Sequence, residues 1–498
     1  MISNNSLNLI IPIFFMGMWL SIGSDPADFL LIFFNEKSIL KNIFEMNWID
    51  FINFSRSIFP SICFIICLFI IVSFKIYRNY NNFIYILLSL QFIQLFTTIL
   101  SRGTIVSEFE ILVDHIGRYH WIISSLSTIL IFMIASKLEN FRVEKLFHIS
   151  IIFLSVIVIF FSYKILIDFF NFEINRSNTP IYNLNIWRDS AFFFNHEIPR
   201  VTGLSRSIVF LLIITMFIKF NSKKYFIIIK NLLILFLGSL ILLFQSKFAV
   251  VILLIIYIFY FYNYKNKFEG LTKIAILILF QIILFFSISN YKYYFIELKF
   301  KYNNNSIENF TNEEKPKSKL NNDRQFKDGN NEVKQKNVEN KKFSEKYLRQ
   351  IYDKKSKDLK LLDHILLSGR GSLWLDSLPF IKERPLLGYG SMSDRIIVNQ
   401  KRLLNYKKHI LNPISNAFLY SLLSGGVFCL MLLIFLFINI RKKYLDIIYF
   451  SSLNNYKYKI GILILLVITI RVFIENSFML FGIDFILLLN SLYLTEKK

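Results

Sequence analysis

Twelve apolar runs fix what this chain can become, near residues 7–23, 57–74, 82–100, 119–135, 147–168, 204–220, 226–244, 248–262, 271–289, 416–438, 459–475 and 478–494. Each approaches the ~20 residues that a helix needs to cross ~30 Å of hydrocarbon. No water reaches backbone polar groups at that depth, so each run must satisfy its own N–H and C=O groups as a helix. A 54% hydrophobic content and mean hydropathy of +0.49 over 498 residues agree. The expected fold is an all-α polytopic membrane protein with about twelve transmembrane helices. One large outward-facing loop carrying short amphipathic helices is expected to interrupt them.

The organisation follows from where polarity returns. Residues 1–290 read as an N-terminal bundle of about nine helices, 291–412 as the large extracytoplasmic loop, and 413–498 as about three C-terminal helices. Within the loop, 301–345 is rich in Asn and Lys and too polar to bury a core, so disorder is expected there. From Phe343 to Leu367 apolar residues recur at helical spacing (Tyr347, Ile351, Leu359, Leu362, Ile365, Leu366), as in helices that lie on a membrane face. The N-terminal run has no Lys or Arg before it and reads as a retained helix, not a removed signal.

Charge sets the expected orientation. The net charge is +23, of which about half lies in the 291–412 block with acids interspersed and most of the rest in short connections, which argues against a nucleic-acid partner and for contact with membrane lipids. Connections bearing Lys75/Arg78, Lys137/Arg142/Lys145, Lys219/Lys223/Lys224, Lys265/Lys267 and Arg441/Lys442/Lys443 are basic. The positive-inside rule places these and both termini in the cytoplasm. Segments 25–56, 101–118, 171–203 and 291–412 then face outward. Cys63, Cys67 and Cys429 all lie in apolar runs, so a disulfide framework outside the membrane is excluded, and no ligand spacing calls for a metal.

Charges at the ends of apolar runs are the first candidates for chemistry, because burying one without a partner is costly. Arg471 and Glu475 are four apart in the eleventh run. They read either as a self-neutralising pair or as an Arg clamp for an anion, oriented by its carboxylate. Lys247 sits in a short outer turn, where it either snorkels or binds. Arg200 and Arg206 mark the outer entrance of the sixth run, and Arg370 lies in the large loop. Together these cations would make a basic pocket for a phosphate or diphosphate head group. Asp25 and Asp28, in Asp25-Pro26-Ala27-Asp28, read as a helix start, with catalytic acids as the rival reading.

The large loop closes on Arg370-Gly371-Ser372-Leu373-Trp374 and then Pro385-Leu386-Leu387-Gly388-Tyr389-Gly390. In order and position this resembles the O-antigen ligase and polymerase superfamily, polytopic glycosyltransferases with an Arg-x-x-x-Trp/Leu element and a Pro-Leu-x-Gly-x-Gly turn. Arg200-Val201-Thr202-Gly203 resembles the family's Arg-x-x-Gly, and Ser246-Lys247 its Ser-Arg. Arg471 and Glu475 resemble its late basic and acidic pair. The family opens the span after the loop with His-Asn, and a Gly follows eleven residues beyond the His. Here Ser415-Asn416 stands there, with Gly426 at that spacing, so Ser415 replaces the His. Family ligases depend on that His, which counts against a ligase role. His409 lies six residues earlier and reads as a surface residue or as a substitute.

The resemblance implies an enzyme that moves a glycan from a polyprenyl diphosphate carrier to a sugar hydroxyl at the outer face of a bacterial inner membrane. Polymerisation of lipid-linked repeats is favoured. Ligation to a lipid or protein acceptor is the alternative, and a non-enzymatic flippase or transporter the rival of another class. The implied catalytic residues are Arg370, Glu475, Ser415 and His409, and the implied diphosphate ligands are Arg200, Lys247, Arg370 and Arg471. No cofactor and no metal are implied. The implied partners are the polyprenyl-diphosphate-linked oligosaccharide, membrane lipids, and a chain-length regulator or flippase.

Overall fold

A computed structural model describes residues 4–23, 48–75, 80–101, 108–138, 143–171, 201–218, 224–243, 247–262, 268–287 without 285, 370–394, 414–447, and 455–496 without 477. The expected disorder of 301–345, the amphipathic helices of 343–367 and the acids Asp25 and Asp28 lie outside these residues. Among the described residues the structure is helical with no strand.

The helices are α1 Asn4–Leu20, α2 Trp48–Ser73, α3 Asn82–Leu100, α4 Glu108–Lys137, α5 Glu144–Asn171, α6 Val201–Phe217, α7 Lys224–Leu243 and α8 Lys247–Tyr262. They continue with α9 (268–284), α10 Arg370–Glu383, α11 Ala417–Tyr444, α12 Tyr456–Arg471 and α13 Ile483–Leu494. All the apolar runs carry a helix. Six helices are long and apolar enough to cross a membrane, and four more, in α1, α6, α8 and α13, are shorter apolar helices. The chain divides into two compact units, Met1–Ile283 with Leu373–Lys498, and Leu284–Ser372. The N-terminal and C-terminal helices thus share one unit, while nearly all of the other lies outside the described residues.

α4 is the hub of the larger unit. Of its apolar stretch Gly117–Lys137, 78% is buried, against 33–44% for the other five candidate spans. Its buried Ser124, Ser127 and Thr128 return their hydroxyls to carbonyls four residues back, which makes polar side chains tolerable in an apolar core. Ser127 also donates to the Pro60 carbonyl of α2 at 2.8 Å.

The two ends of the bundle differ in chemistry. At one end Lys443 donates to Leu492 O at 3.2 Å and to Thr495 Oγ1 at 2.8 Å, a cation closing the C-terminus of α13. Lys457 pairs with Glu144 there, and Lys137 lies over the Tyr80 ring at 5.0 Å. At the opposite end Arg56 of α2 donates to Leu20 O at 2.6 Å and Ile22 O at 3.0 Å, closing α1 in the same way.

One helix is not continuous. α11 is broken at Gly426, which has φ 63° and ψ −157°. The turn at Pro385–Gly390 fills the break: Tyr389 N donates to Leu423 O and Gly390 N to Ser424 O, both at 2.7 Å, while Val427 N donates to Pro385 O at 2.8 Å. The groups an intact helix would have paired internally are paired to the turn instead, as burial demands. A Cβ at Gly426 would lie 2.1 Å from Leu386 O. Gly426→Ala combines a left-handed φ with a backbone clash and is expected to cost roughly 3 kcal/mol or more. Gly117→Ala, where a Cβ meets nothing within 4 Å, should leave stability unchanged or slightly higher. Thermal midpoints in detergent check this; equal midpoints for the two variants would show that the break is not needed for the fold.

Candidate functional site

At the end of the bundle where α6, α8, α11 and α13 begin and α12 ends, charges converge. Arg206 lies in the second turn of α6, Arg471 is the last residue of α12, and Asp484 lies in the first turn of α13. Asp484 Oδ2 accepts from Arg206 Nη1 at 2.9 Å and stands 3.7 Å from Arg471 Nη2. The three side chains are 20%, 8% and 2% exposed for Arg206, Arg471 and Asp484, so these charges sit within protein. A carboxylate in a first helical turn also gains from the helix dipole. The Arg471 guanidinium lies 5.9 Å from the ring centre of Phe248, beside Lys247 at the start of α8. Two guanidiniums thus share one carboxylate.

The start of α11 is fastened to this place. Asn416 caps the helix by accepting from Leu419 N at 3.0 Å and donates to Phe473 O at 2.9 Å; Ala417 N donates to Val472 O at 2.9 Å. Ser415, just before the cap, is buried. Asp394, wholly buried, accepts from Ile414 N at 2.9 Å and from Asn476 Nδ2 at 3.5 Å. It thereby joins the end of the 385–394 turn, the entry to α11 and the α12–α13 connection.

The sequence-derived candidates fare differently. Arg206 and Arg471 are brought together. Glu475 follows the end of α12, and its N donates to Arg471 O at 2.7 Å, so the two stay one helical turn apart. Asp484 is a further carboxylate near Arg471, one that the sequence reading did not name. Ser415 lies beside the end of α12. Lys247 and Arg370 open α8 and α10, and Arg200 and His409 lie outside the described residues.

Three residues escaped the sequence reading. Asp484 is a lone acid within the last apolar run, and the cost of burying it was itself a signal. Asp394 follows the Gly-rich turn with no local mark of burial. Arg118, 2% exposed, sits at the edge of the fourth run and holds the turn through Tyr389 O and Ser391 O. Beside it, burial and the Glu383 carboxylate push the Tyr389 phenol up to about 12, so its hydroxyl keeps its proton at any physiological pH. Arg384 lies over the same ring at 4.8 Å.

Residues 232–434 match the family model described as O-antigen ligase. This stretch, less than half of the chain, is thus similar to the O-antigen ligase and polymerase superfamily. The O-antigen ligase match contains Lys247, Arg370, the 385–390 turn, Ser415 and the break at Gly426, whereas Arg206, Arg471 and Asp484 flank it. No curated protein and no solved structure matches the chain.

Removing the shared carboxylate leaves two guanidiniums without it in a buried place. Asp484→Asn is expected to cost roughly 3 kcal/mol, and adding Arg206→Gln to recover part of that loss. Stability measured for both single variants and the double checks the coupling; losses that simply add would show that the two residues do not act as a pair.

Proposed function

We propose that this protein is a membrane glycosyltransferase that moves a glycan from a polyprenyl diphosphate carrier to a sugar hydroxyl, most often lengthening a lipid-linked chain of repeats. The observation that carries this reading is the pair of guanidiniums, the partly exposed Arg206 and the buried Arg471, converging on one carboxylate where α11 begins. In this reading the chain spans an inner membrane twelve times, and the site opens on the outer side with residues 291–412.

The chemistry breaks the bond from the anomeric carbon to the diphosphate oxygen and forms one to the acceptor oxygen. The diphosphate departs as an anion, and fixed cations lower the barrier by meeting charge as it develops. Arg471, Arg370, Arg200 and Lys247 take that role, with Arg supplying paired donors to phosphate oxygens. The acceptor hydroxyl must lose its proton, and Glu475 is the carboxylate assigned to receive it. Ser415 and His409 orient the acceptor, since an unassisted serine hydroxyl is too weak a base. The donor is already activated, so no nucleotide sugar enters the reaction. A chain-length regulator and a flippase that delivers the donor are the partners this activity calls for.

Ligation to a lipid or protein acceptor is the second reading, favoured by the description of the matching family model. Ser415 in the place of the family's His favours polymerisation. The surface-glycan ladder of a deletion strain separates them: one capped repeat with no long chains marks a polymerase, and loss of all surface glycan with accumulated lipid-linked polymer marks a ligase. In the complemented strain Arg370→Ala is expected to lose nearly all activity and Arg370→Lys to be impaired at equal expression, because Lys keeps the charge but not the planar fork. Wild-type ladders from Arg370→Lys and Arg370→Ala would remove Arg370 from the site.

A further inference from the structure

We propose that Arg118 is a positioning residue of the transfer site, acting through the turn it holds and not by touching substrate. The proposal rests on the reading of Arg370 as a diphosphate ligand. Arg118 belongs to α4, the most buried of the six candidate spans, far in sequence from the turn it holds. Its Nε donates to Ser391 O at 2.8 Å, and its Nη2 donates to Tyr389 O and, at 3.0 Å, to Ser101 Oγ at the end of α3. Ser101 Oγ in turn donates to the same Tyr389 carbonyl at 2.6 Å. Ser391 N donates to Thr98 Oγ1 at 3.0 Å, so both chain directions of the turn are gripped by α3 and α4.

The choice of arginine is informative. Burying a guanidinium is expensive, and a neutral donor would fasten a single carbonyl at less cost. Only the planar fork spans two carbonyls two residues apart from one rigid group. The turn is shaped to receive it. Gly390 has φ 90°, and a Cβ there would lie 2.4 Å from Arg118 Nη2 and 2.5 Å from Thr98 Oγ1.

What the clamp positions is α10. Tyr389 forms a small core with Ile414 and Leu423, and Trp374, Phe380 and Ile381 of α10 pack against it. The Phe380 and Tyr389 rings meet edge to face at 6.3 Å. Arg370 is the first residue of that helix. Ile414 is the residue before Ser415, and Leu423 O accepts from Tyr389 N at the break in α11. A shift at Tyr389 therefore reaches both Arg370 and Ser415, and misplacement by an ångström at such groups is felt in binding and rate.

The test uses full-length protein reconstituted with a purified lipid-linked oligosaccharide. Arg118→Gln keeps a donor but loses the fork and the charge. It is expected to raise KM for the lipid-linked donor about tenfold per folded molecule, with Ser101→Ala moving the same way by about threefold. A purely structural role predicts instead fewer folded molecules with wild-type KM. That result in both variants, or wild-type kinetics in both, would overturn the proposal. Should Arg118→Gln fail to fold, Ser101→Ala decides alone by the same criterion. Amide exchange at Gly390 and Ser391 separates this claim from the proposed function. If the wild type transfers no glycan, faster exchange in Arg118→Gln upholds the clamp, and unchanged exchange refutes it.

Discussion

The exchange of backbone hydrogen bonds between the 385–390 turn and the break in α11 is the constraint on which the rest depends. A helix opened within a membrane protein exposes carbonyls and amides that have no water to turn to. Leu423 O, Ser424 O and Val427 N find Tyr389, Gly390 and Pro385. Thr97 Oγ1 adds a second donor to Ser424 O at 2.9 Å. Neither segment is satisfied without the other. The 385–390 turn is thereby held in a fixed register against α11. Asp394 then passes the same constraint to Ile414 and Asn476, one residue away from Ser415 and Glu475.

Electrostatics supplies the second requirement. Buried charge in such a protein is tolerated when partnered, and removing one partner costs far more than the pair contributes. Asp484 meets this need for Arg206 and Arg471 together, holding two cations side by side. Under the proposed function this arrangement would serve as an anion site formed before the diphosphate arrives. Fixed charges of this kind stabilise a departing anion without reorganising at the moment of reaction. At the other end of the bundle, cations are spent differently: Lys443 closes a helix terminus and Lys457 meets Glu144.

The helices were legible because length and apolarity alone demand them; their ends and their interruptions were not. The run 416–438 reads as one uninterrupted span, and nothing within it announces that Gly426 leaves the helix. Only a segment some forty residues upstream explains the break. Arg471 was found because charge inside an apolar run is conspicuous, but one carboxylate beside it, Asp484, comes from α13. Asp484 carried the same signal as Arg471 and was passed over for want of a neighbour in sequence. Arg118 lay at the boundary between span and loop, where a cation commonly snorkels; burial reverses that reading and no local feature predicts it.

The central claim is transfer from a diphosphate carrier at a site gated by neither nucleotide nor metal. Proteoliposomes holding only this protein and a purified polyprenyl-diphosphate-linked oligosaccharide test it most directly, with released polyprenyl diphosphate and the lengthened lipid-linked glycan measured together. The account predicts that both appear in equal amounts, that chelator does not slow them, and that Arg370→Ala abolishes them. Movement of intact lipid-linked oligosaccharide between leaflets, with no release of polyprenyl diphosphate, would contradict it and mark the protein as a transporter.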